Sequence, residues 1–157
     1  MGQYYRIINL DKKEFLNPYA FGDGAKLLEF GASGSGEMCG LAILLADGNG
    51  QGGGDLFVPE DAPESVKNAV GSWAGDRIVI SGDYAEAGRF IEGEKTLYQM
   101  CKDGEFKDIS DLVIEAMCHD ECLCRELVQR VHWRKNEELP ECLRKARSEY
   151  GNGDVQE

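Results

Sequence analysis

Four side chains with soft-ligand chemistry, Cys118, His119, Cys122 and Cys124, crowd into seven positions, with His132 and Cys142 downstream. Thiolates and imidazoles this close in sequence can hold zinc if the chain bends sharply enough to turn at least three of them inward. The spacing contains no CxxC pair and fits no standard finger. A cysteine nucleophile paired with histidine needs a third, orienting partner, and the sequence presents none.

A second candidate is LLADGNGQGGGDLFV, residues 44–58, which sets five glycines between Asp47 and Asp55. Laid on the calcium loop of an EF-hand, Asp47, Asn49, Gln51 and Gly52 take positions 1, 3, 5 and 6, and Asp55 takes position 9. Position 12 is Val58, so the bidentate carboxylate is missing and a full EF-hand is excluded. A solitary Ca²⁺ or Mg²⁺ site on Asp47, Asn49, Gln51 and Asp55 ranks ahead of zinc at the cysteines. The competing reading is a turn whose glycines adopt positive φ and whose aspartates cap neighbouring amides.

GASGSGEM, with Gly31, Gly34 and Gly36, has the outline of a phosphate loop, but Glu37 and Met38 replace its lysine and hydroxyl. Free amides before a helix still attract anions, which keeps a nucleotide or phosphometabolite in view. Asp76 and Asp83 look like an acid and a base. An extended strand between them holds them roughly 23 Å apart, so they read as turn residues. Trp73 and Tyr84, at the same two ends, either rim a pocket or close the core.

The elements that must position these groups follow from periodicity. YYRIINLDKKEFLNP reads as a hairpin, with strands at about 3–9 and 13–16. In FGDGAKLLEFG, Asp23 is placed to cap a short helix ended by Gly31. The length of GEMCGLAILLADG favours a buried helix, and Pro63 and Glu64 open a short surface helix. Residues 77–81 form the clearest buried strand, and EKTLYQMC reads as another. From Ile109 an apolar stripe recurs at helical spacing, but Asp120 falls at its centre, where an unpaired carboxylate is costly. The stripe therefore divides into helices at about 111–118 and 121–133, with Asp120 capping the second. A last helix begins near Pro140.

The chain has 157 residues, 42% apolar and 29% charged, and its net charge is −12. No apolar run approaches the roughly 20 residues of a membrane span, and the N-terminus lacks the features of a secretory signal, which implies an intracellular protein with reduced thiols. Residues 1–115 carry 20 acidic against 10 basic side chains, and residues 116–157 carry 9 against 7. Such a surface repels nucleic acid and suits cations or basic protein patches.

At GQYYRIINLDKKEFLNP, FGDGAKLLEFG, LLADGNGQGGGDL and SWAGDRIVISGDYAE the chain resembles a family of small uncharacterised bacterial and phage-type proteins, over residues 2–110. The resemblance brings no activity, cofactor or site residue with it. It implies a cytoplasmic setting in a bacterium or phage-infected cell. The cysteine-rich end lies outside it.

The expected fold is α+β: a small mixed or antiparallel sheet with an N-terminal hairpin, helices packed on one face and a helical C-terminal extension. Residues 1–110 form the core, 111–150 extend the same domain and 151–157 make a disordered tail. The expected function is non-enzymatic binding of a basic protein partner, as an inhibitor, immunity-type or accessory factor. The alternative is a small-ligand or divalent-metal protein using the glycine loops. An enzyme acting through Asp55, Asp76 or Asp83 ranks third.

Overall fold

The hairpin owes its turn to Asn9. Its side-chain oxygen accepts from the amides of Asp11 (2.9 Å) and Lys12 (2.8 Å), and Lys13 completes the reversal at φ 56°. In the computed structural model, which describes residues 3–48 and 53–151, this turn joins β1 (Tyr5–Asn9) to β2 (Glu14–Leu16) in antiparallel register, Ile7 opposite Leu16 and Ile8 opposite Phe15. The far side of β1 pairs antiparallel with β3 (Ile78–Gly82), and β2 pairs in parallel with the short β4 (Lys107–Asp108). The sheet order is β3-β1-β2-β4, a mixed sheet with the hairpin at its centre. The tail at 152–157 lies outside the described residues.

Strand periodicity gives β1 and β2 two apolar faces. Ile7 and Leu16 join the larger core with Phe21, Phe30, Leu44, Trp73, Val113, Ile114, Leu127 and Leu143. These residues come from or adjoin α1 (Leu27–Gly31), α2 (Glu37–Leu45), α5 (Ser110–Met117), α6 (Glu121–Arg130) and α7 (Glu141–Ala146). Ile8 and Phe15 point the other way, into a smaller cluster with Leu97, Met100, Cys101 and Phe106. The surface helix α3 (Glu64–Ala69) docks through Val66, next to Leu56 and Ala116.

Two expectations are corrected here. The segment EKTLYQMC is not a strand but a helix, α4 (Leu97–Lys102), and it covers the second face of the sheet. The Thr96 hydroxyl accepts from the Gln99 amide (3.1 Å) and the Gln99 side chain accepts from the Thr96 amide (3.0 Å). This reciprocal cap nucleates the helix, and Leu97, Met100 and Cys101 then share one buried stripe. The strand expected as the most buried, β3, lies at the sheet edge, where Ile80 is 39% exposed.

The stripe beyond Ile109 does break at Asp120, whose carboxylate accepts from the Leu123 amide (3.0 Å) and starts α6. Asp23, by contrast, does not cap α1. That helix is closed by Glu29, which accepts from the Lys26 amide (3.0 Å). Asp23 instead accepts from the Glu37 amide at the start of α2 (2.8 Å) and pairs with the Arg130 guanidinium at the end of α6. Its neighbour Gly22 sits at φ 80° with the Arg130 backbone where a Cβ would be, so only glycine lets the two segments meet. Arg134 donates to the Ala20 carbonyl (3.0 Å), and Arg147 donates to the carbonyls of Arg134 (2.7 Å) and Val131 (2.8 Å). The C-terminal helices are thus bolted to residues 20–23.

Removing Arg130 strands a carboxylate whose side chain is 2% exposed. Arg130→Met should cost on the order of 3 kcal/mol in urea denaturation. Arg125→Met, which breaks an exposed pair with Glu121, should leave the midpoint near that of the wild type.

Candidate functional site

The anion site foreseen at GASGSGEM is filled from within the chain. The first amide of α2 already donates to Asp23, and the Met38 amide lies 3.4 Å from the Ser33 hydroxyl. Gly31 and Gly34 are exposed, with open space around them, and do not converge on a ligand. Gly36 is buried, and a Cβ there would collide with the Asp23 carboxylate and the Arg130 guanidinium. Glu37 follows at 0% exposure, and neither of its carboxyl oxygens has a hydrogen-bond partner. Burial first, and then the negative Asp23, push its carboxyl up to about 9, so it is protonated at neutral pH.

In the long glycine loop, Asn49 and Gln51 lie outside the described residues, and Asp47 and Asp55 are exposed. A cavity of about 310 Å³ beside Asp55 is walled mainly by apolar groups, Ile43, Leu56, Val70 and Leu123 among them, and its other carboxylate, Asp120, is committed to capping α6.

Asp76 and Asp83, the two aspartates that look like an acid and a base, are likewise taken up by structure and kept apart by β3. Asp76 accepts from the Asn9 side-chain amide (2.8 Å) and from Lys12, and these two bonds hold its carboxyl below the usual range. The Arg77 amide (2.8 Å) and side chain (2.9 Å) donate to Asp11, lowering that carboxyl too. The hairpin turn is thereby clipped to the start of β3. At the opposite end, Asp83 accepts from the Tyr4 amide (3.0 Å). Trp73 closes the core, fully buried, with its indole N–H donating to Glu14 (2.9 Å). Tyr84 is 61% exposed.

Of the four soft-ligand residues foreseen, the structure brings Cys118 and Cys124 together and adds Cys142. His119 sits on the rim of the cavity they line, and Cys122 faces outward. Among the described residues, no group of three or more His, Cys, Asp or Glu side chains is arranged to hold a metal ion.

A site not foreseen lies where residues 17–20 meet the C-terminal helices. The Asn17 side chain accepts from the Tyr19 amide (3.1 Å), and Pro18 fixes the first φ of a 3₁₀ turn over Pro18–Phe21. Tyr19 consequently points outward, where it meets Trp133 edge to face, the ring centroids 6.5 Å apart at 89°. Trp133 sits in the turn after α6, beside Arg134. That guanidinium is spent on the Ala20 and Glu138 carbonyls (3.0 and 2.8 Å) and on Asp111 (3.3 Å). Together with Asp108 and Glu138 these residues line a cavity of about 420 Å³, with three carboxylates against one guanidinium. Both rings remain substantially exposed, Tyr19 at 41% and Trp133 at 53%. The only sequence signals were Asn17-Pro18, which marks a turn, and a tryptophan just past a helix end.

No protein-family model matches the chain, nor does any curated protein or solved structure match it significantly.

The buried Glu37 gives the fold an unusual pH dependence. An unfolded glutamate loses its proton near 4.5, whereas the folded one keeps it to about 9. Between those values the native state holds one more proton, so this group's contribution to stability is complete below 4.5 and declines as pH rises through 9. Asp11 and Asp76, with lowered carboxyls, act in the opposite sense and lose their contribution on acidification. Melting temperature should therefore fall from roughly pH 5 to pH 9, and Glu37→Gln should flatten that limb while leaving the acid limb in place. A variant that keeps the wild-type slope would show that Glu37 is ionised in the fold.

Proposed function

We propose that this chain is a non-enzymatic acidic binding protein of the bacterial or phage-infected cytoplasm that engages a basic protein partner, as an inhibitor, immunity-type or accessory factor. The cavity between Tyr19 and Trp133 receives an arginine or lysine side chain of that partner. The cavity's chemistry carries the reading. Two exposed aromatic rings offer their negative faces to a cation, and Asp108, Asp111 and Glu138 surround them with charge that Arg134 only partly offsets. Arg134 also fixes the walls, because its donors are bonded to three separate segments, so little ordering is left for the moment of binding.

The wider charge pattern works in the same direction. The acidic excess of residues 1–115 draws a basic partner towards the surface at long range. A small-anion reading has lost its anchor, since the amides at the start of α2 are occupied by Asp23 and Ser33.

The reading is tested by titrating the full chain with a short arginine- and lysine-rich peptide, with an acidic peptide of equal length as control, and following the Trp133 and Tyr19 resonances. The basic peptide should shift both, weaken with added salt and leave Trp73 still. Trp133→Ala removes an exposed ring and should reduce affinity on the order of tenfold. Equal binding of the two peptides, or an affinity indifferent to Trp133, would refute the proposal.

A further inference from the structure

All six cysteines are free thiols, and three of them meet. Cys118 is the cap at the C-terminal end of α5, Cys124 lies in α6 just beyond the Asp120 cap, and Cys142 lies in the first turn of α7. The tight turn at residues 119–120 joins α5 to α6, and with α7 packed on α6 it brings the Cys118 thiol close to both Cys124 and Cys142. The three line a cavity of about 260 Å³ whose rim carries the exposed residues His119, Glu121 and Glu149, so a small solute has a path to the sulfurs. Beneath them the larger core holds the helices fixed.

We infer that this cluster is a reversible thiol-oxidation site, in which Cys124 reacts with a hydroperoxide and Cys118 closes a disulfide upon it. The inference does not depend on the partner-binding reading, because it uses other residues at another place on the surface.

The roles follow from position on the helices. Cys124 lies near the N-terminal end of α6, where the helix dipole favours a thiolate, and Cys118 caps the C-terminal end of α5, where the dipole opposes one. The contact between the two thiols acts in the same direction, lowering that of Cys124 and raising that of Cys118. The Cys124 sulfur attacks an oxygen of the hydroperoxide, the O–O bond breaks, and the second oxygen leaves as an alcohol or water, taking up a proton. Cys124 is left as the sulfenic acid, oxidised by two electrons. The Cys118 sulfur then attacks that sulfur, the S–O bond breaks, and the oxygen leaves as water with the Cys118 proton as the S–S bond forms. A dithiol reductant reverses the product through two exchange steps. Cys122 shares α6 with Cys124 but is exposed and outside the cavity, so it serves as an internal control.

The test is to treat the native chain with one equivalent of hydrogen peroxide, block the remaining thiols by alkylation and map the peptides by mass spectrometry, with and without prior dithiothreitol. The expected result is a Cys118–Cys124 cross-link that dithiothreitol abolishes, with Cys124 consumed on the order of tenfold faster than Cys122. In Cys118→Ser, Cys124 should instead stop at the sulfenic or sulfinic acid, with no cross-link, and Cys142→Ser should still form the bond. Should a Cys118 variant fail to fold, the wild-type map decides alone. A cross-link to Cys142 or Cys122, oxidation of Cys122 ahead of Cys124, or a cross-link formed only after unfolding would overturn the inference.

Discussion

The fold depends on one carboxylate. Asp23, buried near the middle of the molecule, accepts the first free amide of α2 and pairs with the guanidinium that closes α6. A buried carboxylate is costly unless both its charge and its lone pairs are met, and here the two halves of the sequence each supply one of the partners. The Gly22 and Gly36 backbones must come close to permit this, and neither can carry a side chain. Burial still weighs more heavily on Asp23 than its partners do, since its carboxyl sits above the usual range. Glu37, whose amide donates to Asp23, is driven up as well, first by its own burial and then by the negative Asp23. One position therefore ties the start of α2 to the end of α6 and adds to the shift of the carboxyl beside it.

The same anchor decides where the Tyr19–Trp133 cavity can exist. Arg130 ends α6 and Arg134 follows four residues later, so the short turn after the helix separates the bolt into Asp23 from the bolt into Ala20. Trp133 lies between the two arginines in sequence and meets Tyr19 edge to face. The cavity belongs to neither residues 17–20 nor the C-terminal segment alone, and its walls come together where the two are fastened.

How much of this was legible depended on whether the signal was local. The hairpin and the break at Asp120 were readable because the residues that make them act within three or four positions: Asn9 on Asp11 and Lys12, and Asp120 on Leu123. The signal for α4 is also local, a threonine three residues before a glutamine, although EKTLYQMC reads as a strand. Asp23 deceived because a helix did follow it, while its true partners were fourteen and 107 residues away. The candidate sites fared worse for the same reason. Cys118 and Cys124 could be suspected together, but Cys142 entered only through the packing of α7, and nothing in residues 17–20 points to Trp133.

Several of the carboxylates prove to be structural, which changes what the net charge means. Asp11, Asp23, Asp76 and Asp120 each answer to a specific amide or cation, and Glu37 carries no charge at neutral pH. They contribute little to the field that a partner would meet, since a charge paired at contact distance is largely cancelled beyond a few ångströms. Among the described residues, Asp47, Asp55 and Glu138 are exposed. At the Tyr19–Trp133 cavity, outward carboxylates stand beside two exposed aromatic rings in a walled concavity. A binding surface needs both, because charge alone attracts without choosing and an aromatic face alone does not distinguish a cation from an apolar group. That conjunction, rather than the excess of acids, is what the proposed binding of a basic side chain rests on.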